Sequence, residues 1–373
     1  MVWRHRLAPA ARATSVDEVA GDLVALHSSD PVSVFLAVAA RLDDASVDAV
    51  EAALYEERSL VRHHAMRRTI WVMTPEVAAW AHAACTRKIA VTERKRLVDA
   101  LDGDESWLDT TIDDVVGLLA DDGPLTAREV LARLPHIERT ITVGSGSYRT
   151  EVSGHSRALL QAGFEGHVLR AAPRGSWTSS QYAWAERRAW HDVDLDAHGV
   201  ADGGRELVRA WLERFGPATL DDVVWWTGMT KTAVRAALAD LDVEPVALAV
   251  GEGVMPAGDL EPVERPGPWV ALVPGLDPTA MGWKRREWYL DAATAARVTD
   301  RAGNIGPTVW VDGRVVGGWA QRPDGEIAVG LTVELGTDHR DLLAAEVERL
   351  RAFVGDTRFR VRFPSPDQRR LLA

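Results

Sequence analysis

Gly123-Pro-Leu-Thr-Ala-Arg-Glu129 and Gly216-Pro-Ala-Thr-Leu-Asp-Asp222 share one pattern: Gly-Pro-x-Thr, then a short amphipathic helix. In each, a Thr stands at the helix start and an acid follows three residues later, Thr126 with Glu129 and Thr219 with Asp222. That spacing predicts a capping box, which satisfies backbone amides that a first helical turn leaves open. Around the later copy, Leu207–Phe215 reads as a helix, the capped helix runs to Trp226, and Thr227-Gly-Met-Thr230 turns into a third helix over 231–241. Around the earlier copy, helices are expected from Thr111, from Thr126 to Leu134 and over 153–162. Wing strands are expected at 163–171 and 177–180. The capped helix in each copy takes the place of the helix before the recognition helix of a helix-turn-helix.

The first hundred residues carry a looser version. Helical spacing predicts a helix over Val16–His27, broken by Ser28-Ser-Asp-Pro31, with Pro31 placed to start the next. Ser46 is a cap candidate, Arg67–Met73 is β-branched and aromatic and reads as a strand, and Thr74-Pro-Glu76 restarts a helix. After Val243 the texture changes to short strands at 269–273, 308–311, 315–320, 326–332 and 358–363, with Asp312-Gly313 and Asp324-Gly325 as hairpin turns and one helix over 342–354. The expected fold class is α+β: three tandem winged helix-turn-helix modules and a C-terminal β-rich, barrel-like domain. The boundaries are 1–100, 101–195, 196–262 and 263–373.

Composition narrows the function. The 373 residues are 46% hydrophobic and 26% charged, ordinary globular usage. One cysteine, Cys85, excludes an internal disulfide framework and cysteine-based metal clusters. No apolar stretch is long enough for a signal peptide or a membrane span, so a cytoplasmic protein is expected. The net charge of −12 argues mildly against nucleic acid, but the charge is unevenly spread. Arg58 to Arg96 holds nine Lys or Arg and two acids; Asp99 to Asp122 holds nine acids and no Lys or Arg. Such a dipole predicts a basic face on an acidic body, or else a plain solvated surface.

No motif of general reach is present: no Walker A loop, no Gly-x-Gly-x-x-Gly opening a helix, no His-Glu-x-x-His and no nucleophile elbow. Gly144-Ser-Gly-Ser147 reads as a loop, with a phosphate nest as the sharper and less favoured reading. His63-His64 lacks a nearby third ligand and suggests no metal. Most of the 15 Trp residues are expected to fill cores, while exposed ones could stack bases.

Six segments carry a resemblance. They are Leu26-His-Ser-Ser-Asp-Pro31, Arg68-Thr-Ile-Trp-Val-Met-Thr-Pro75, Phe215-Gly-Pro-Ala-Thr219, Trp225-Trp-Thr-Gly228, Leu272-Val-Pro-Gly-Leu-Asp277 and Pro307-Thr-Val-Trp-Val-Asp-Gly-Arg-Val-Val-Gly317. Together they resemble the three-winged-helix family containing bacterial DNA glycosylases that release bulky alkylated bases and unhook interstrand crosslinks. The resemblance implies three winged-helix modules curved around a concave surface for duplex DNA, completed by a C-terminal β domain; a monomer without metal or organic cofactor is expected. Its best-known glycosylases carry Gln-x-Gln or Gln-x-Asp before an Asp-Pro, two polar residues that handle the attacking water. Here His27 and Ser29 match those positions, ahead of Asp30-Pro31. His27 could be a general base or hold water, Ser29 could orient it, and Asp30 is either an ionised participant or a helix cap. DNA-contact candidates are Arg62, His63, His64, Arg67, Arg68, Arg149, Arg157, Lys231 and Arg235, which would read backbone rather than sequence. The alternative is a non-catalytic DNA-binding or regulatory protein of the same build. A protein-interaction scaffold and a small-metabolite hydrolase have less support.

Overall fold

The computed structural model describes residues 1–144 and 149–373, so the Gly-rich stretch after Gly144, expected to be a loop, lies outside the described residues. The chain starts with α1 (Val16–Asp22), β1 (Leu26–His27), α2 (Pro31–Ala39), α3 (Val47–Glu51), β2 (Val61–His64) and β3 (Ile70–Met73). The three strands form an antiparallel sheet in the order β1-β3-β2. α4 (Pro75–Ala81) continues through a π-helical turn, His82–Thr86, into α5 (Arg87–Ala100).

Two further stretches combine helices with antiparallel hairpins. α6 (Glu105–Asp122) is followed by α7 (Ala127–Arg133), the hairpin β4 (Thr140–Val143) and β5 (Thr150–Ser153), α8 (Gly154–Phe164), then β6 (Val168–Pro173), β7 (Tyr182–Glu186) and α9 (Arg187–Trp190). α10 (Val200–Phe215), α11 (Leu220–Thr227) and α12 (Lys231–Ala239) precede the hairpin of β8 (Val243–Leu248) and β9 (Gly251–Pro256). In both, the x of Gly-Pro-x-Thr makes a single β-bridge to the later hairpin, Leu125 to Trp184 and Ala218 to Val254. The Thr beside it caps the next helix in a complete capping box with Glu129 or Asp222. The repeated heptads are therefore corners, in which one residue pairs with a strand and the next starts a helix.

Several expectations need correction. The helix from Val16 stops at Asp22; Val24 takes φ +61, and Leu26–His27 becomes a strand paired with Val72 and Trp71. The strand expected from Arg67 begins at Ile70, because Arg67 and Arg68 hold φ +55 and +62 in the tight turn joining β2 to β3. α8 runs to Phe164 and the strand that pairs with 168–173 is 182–186, leaving 177–180 outside the strands.

The barrel-like domain is instead an open four-stranded antiparallel sheet, β10 (Val270–Val273), β11 (Thr308–Val311), β12 (Arg314–Gln321) and β13 (Ile327–Leu331), in sequence order. α13 (Ala292–Val298), α14 (Thr337–Val354) and α15 (Pro366–Leu372) pack against it, so helices cover the sheet where closure was expected. Asp312-Gly313 forms its hairpin turn as expected, at φ +48 and +89. The chain at 358–363 is not a strand; the Phe359 amide donates to Gln321 Oε1 and the Arg362 amide to Asp30 Oδ2. Leucines, valines and aromatics of α1–α3 share one apolar core with β10–β13 and α14. No helix among the described residues is long and apolar enough to cross a membrane.

One ion pair ties these parts together. Arg41, two residues past α2, and Asp277, in the Leu272–Asp277 segment, are both 0% exposed and meet in a bidentate pair at 2.7 and 2.9 Å. The remaining Arg41 donors reach His5 O, Ala37 O and Thr279 Oγ1, so all five N–H groups are used. Buried histidines are held neutral. Burial holds His27 and His64 down to about 3 and His82 to about 4, and pushes His5 and His63 well below the ordinary imidazole value. It also pushes the Cys85 thiol, which donates to Thr227 O, up to about 12.

Two outcomes are expected. Asp277→Ala strands the Arg41 charge and lowers urea-unfolding stability by about 3–5 kcal/mol, whereas the exposed Arg209→Ala changes it by under about 1 kcal/mol. Below about pH 6.5 the unfolded chain takes up protons that the buried histidines refuse, so stability falls with acidification. Each histidine contributes up to about 1.4 kcal/mol per pH unit until its folded value is reached. Thermal unfolding followed from pH 7.5 to 5 checks the slope.

Candidate active site

β1 brings His27 to the end of the first sheet, where its ring meets the edge of Trp71 at 4.7 Å between centroids and is 7% exposed. The Ser28 amide donates to Ile70 O, which ends the pairing and turns the chain toward α2. The Ser29 amide then donates to His27 Nδ1 in a long contact of 3.4 Å. That contact makes Nδ1 the acceptor and leaves the proton on Nε2. Neither His27 Nε2 nor Ser29 Oγ has a protein partner among the described residues, and neither is sealed from solvent. Desolvation, then the nearby Arg67 charge, lowers the His27 pKa, so the ring stays neutral and is a weak base.

Asp30 stands at the N-cap of α2 but makes no capping bond. Its Oδ2 accepts the Arg362 amide at 2.9 Å, while the Arg362 guanidinium donates to Ser29 O at 3.1 Å. Burial pushes the Asp30 carboxyl above its usual range, making it the more basic of the two titratable groups in this turn. Compared with the corners at Thr126 and Thr219, this one carries Ser28 and Ser29 between the strand and the cap, and its cap side chain serves the C-terminal segment.

Beside the turn lies a cationic cluster. The Arg67 guanidinium sits 4.3 Å from the centroid of the Trp225 ring and Arg286 sits 5.2 Å from it. Neither arginine forms a salt bridge among the described residues, and burial lowers the Arg67 pKa to about 10, with Arg286 adding to the effect. Trp225, Arg286 and Arg362 were not among the sequence candidates. The run Lys284-Arg285-Arg286 and the paired tryptophans 225 and 226 were the available signals, but only the fold brings them to Arg67.

The other DNA-contact candidates scatter. Arg62, His63 and His64 are 3%, 1% and 6% exposed and form no surface. Arg62 donates to Tyr55 Oη and lies over Tyr182; His63 Nε2 faces His82 Nδ1 at 3.0 Å; His64 stacks against Trp184 and packs on Phe164. Their strand, β2, is covered on both faces, which alternation within four polar-rich residues could not reveal. Arg68 pairs with Glu93 but borders, with Arg157 and Gly144, a cavity of about 540 Å³ between α5 and α8. Lys231 pairs with Asp221 at 2.7 Å, while Arg235, Arg149 and Arg157 are exposed. The basic and acidic stretches partly neutralise each other, Arg94 reaching both Glu105 and Asp109 of α6.

Comparison with known proteins gives this geometry a context. A family model described as DNA glycosylase AlkZ-like matches residues 20–353. Among solved structures, the Streptomyces sahachiroi DNA glycosylase AlkZ is similar, with a TM-score of 0.70 and 21% identity over 97% of both chains, a likeness of fold. No curated protein matches the sequence. The family match spans both the His27 turn and the Trp225–Arg286 cluster, so the chain belongs to the AlkZ-like DNA glycosylase family and is a DNA-binding protein of the DNA-repair glycosylase type.

Proposed function

We propose that the chain hydrolyses the N-glycosidic bond of an alkylated purine in duplex DNA, as a monomer. Its three repeated units act as winged-helix modules, divided at 1–100, 101–195 and 196–262, with 263–373 as the supporting sheet domain. The observation that carries this reading is the His27–Asp30 turn. At the family's two water-handling positions it holds two polar groups without protein partners, His27 Nε2 and Ser29 Oγ.

The chemistry follows from the leaving group. An alkylated purine already carries positive charge, so the bond from base nitrogen to anomeric carbon breaks with its electron pair going to the base and neutralising it. Water then adds to the electron-poor sugar carbon. His27, neutral and donating from Nε2, holds that water rather than deprotonating it; Ser29 Oγ orients it. The released proton passes to Asp30, whose raised pKa suits it to accept. Arg68, Arg149, Arg157, Lys231 and Arg235 contribute exposed positive charge along the DNA, with Lys231 shared with Asp221.

Base release from duplex DNA carrying 7-alkylguanine and larger adducts, with spontaneous depurination subtracted, tests the reading. His27→Ala is expected to lower release tenfold or more. His27→Gln keeps a neutral donor and acceptor and retains most of the rate; a full loss in that variant would reject the water-holding role. Release at background with DNA binding intact would leave a non-catalytic DNA-binding protein. The rate is further expected to show no histidine break near pH 6.5, because His27 is neutral throughout that range. Its acid limb belongs to Asp30, lies above the ordinary carboxylate value of 3.8, and disappears with the residual activity in Asp30→Asn.

A further inference from the structure

We propose that Arg67 and Arg286, stacked on Trp225, form a clamp for one backbone phosphate of the damaged strand beside the His27 turn. The proposal rests on the glycosylase reading for its ligand and on separate geometry for its residues.

The cluster is built from three distant parts of the chain. Arg67 occupies the left-handed turn between β2 and β3, where its backbone is wedged against Gly228, the last-turn glycine of α11. A Cβ on Gly228 would come within 3.3 Å of Arg67 Cγ and 3.4 Å of its backbone nitrogen, so glycine permits the approach. Trp225 lies one turn earlier on α11 and offers its ring to both cations. Arg286 is held by Trp283 O at 3.2 Å, Gly303 O at 3.3 Å and Met281 Sδ at 3.4 Å. Those bonds fix its plane and leave two of its five N–H groups uncommitted.

Arg67 spends none of its donors. Its guanidinium makes no hydrogen bond among the described residues, and its Nε is sealed from solvent without a partner. Two guanidiniums sharing one ring, without a carboxylate on either, is an arrangement that proteins ordinarily avoid. An anion within reach of both offsets that charge and satisfies planar donors that suit a phosphodiester. The ordinary alternative, ion pairing within the protein, is what Arg68, Arg94 and Lys231 display nearby. Exposed Arg285 continues the positive edge outward from Arg286, while Lys284 pairs with Asp221. The position also fits the chemistry: His27 pairs with Trp71, whose indole donates to Met66 O next to Arg67, so a phosphate held there lies close to the His27 turn.

The test uses the full chain and a short duplex containing one tetrahydrofuran abasic site. A single neutral methylphosphonate linkage is walked along the damaged strand, and binding is read by fluorescence anisotropy across a salt series. Wild type is expected to show one linkage beside the abasic site whose neutralisation weakens binding about tenfold. In Arg286→Gln and Arg67→Gln that sensitivity vanishes, and the slope of log K against log salt falls by roughly 0.9. Trp225→Phe retains the position-specific effect and Trp225→Ala loses it, while Arg285→Gln keeps it. Because the Gln variants could unfold, each is accepted only with wild-type thermal unfolding; Arg67→Lys, which keeps charge without the planar fork, is expected to lose most of the linkage effect. The same linkage sensitivity in Arg286→Gln as in wild type overturns the clamp, as does the absence of any sensitive linkage or of DNA binding in wild type. Binding requires no turnover, so a working clamp with background base release separates this inference from the glycosylase reading.

Discussion

The Arg41–Asp277 pair is the constraint on which the placement of the site depends. A charge at 0% exposure is tolerable only when every donor is met, and Arg41 meets all five through His5, Ala37, Asp277 and Thr279. The pair pins the chain just beyond the C-terminal end of α2 to the loop after β10. Ser33, at the helix's other end, donates to Gly275 O in the same loop, and Asp30 accepts from Arg362. α2 is thereby fixed at both ends to the C-terminal part of the chain, and the turn that delivers His27 and Ser29 has little freedom to wander. The segment Leu272–Asp277, whose place in the resemblance had no stated purpose, acquires one as the acidic half of this fastening.

Local chemistry was legible in the sequence and long-range convergence was not. The corners at Thr126 and Thr219 could be read because a capping box is written in four consecutive residues, and the Asp312-Gly313 hairpin because its dihedrals restrict residue choice. Leu26–His27 misled because its apolar spacing continues that of α1, and nothing local announces the left-handed Val24 that breaks it. Arg62, His63 and His64 misled for a different reason: Arg62 is covered by Tyr182 and His64 by Phe164 and Trp184, a hundred or more residues away, and His63 by His82. The site divides along the same line. His27, Ser29 and Asp30 are contiguous and were readable by pattern. Trp225, Arg286 and Arg362 join them only after three folded parts meet.

Electrostatics resolves similarly when examined locally. A net charge of −12 describes the whole envelope, while pairs such as Arg94 with Asp109 and Arg139 with Asp104 neutralise charge locally without changing that sum. Beside the His27 turn, Arg67 and Arg286 carry positive charge that no salt bridge among the described residues neutralises. Field at a site depends on the charges within a Debye length or so, about 8–10 Å at physiological salt, and much less on the sum over 373 residues. An acidic protein can therefore present a cationic mouth to DNA while its remaining surface discourages indiscriminate adhesion.

The uncapped start of α2 has a consequence for how this molecule can be divided. Thr126 and Thr219 spend their side chains closing their own helices, so those corners are self-sufficient. Asp30 does not, and the fastening comes from Arg362, 332 residues downstream. The His27-Ser-Ser-Asp30 tetrapeptide thus belongs to one end of the chain, while the shape that makes it usable belongs to both. A fragment ending after α14 would keep the tetrapeptide intact and lose the hand that holds it, so inheritance of the motif alone is no guide to inheritance of the site.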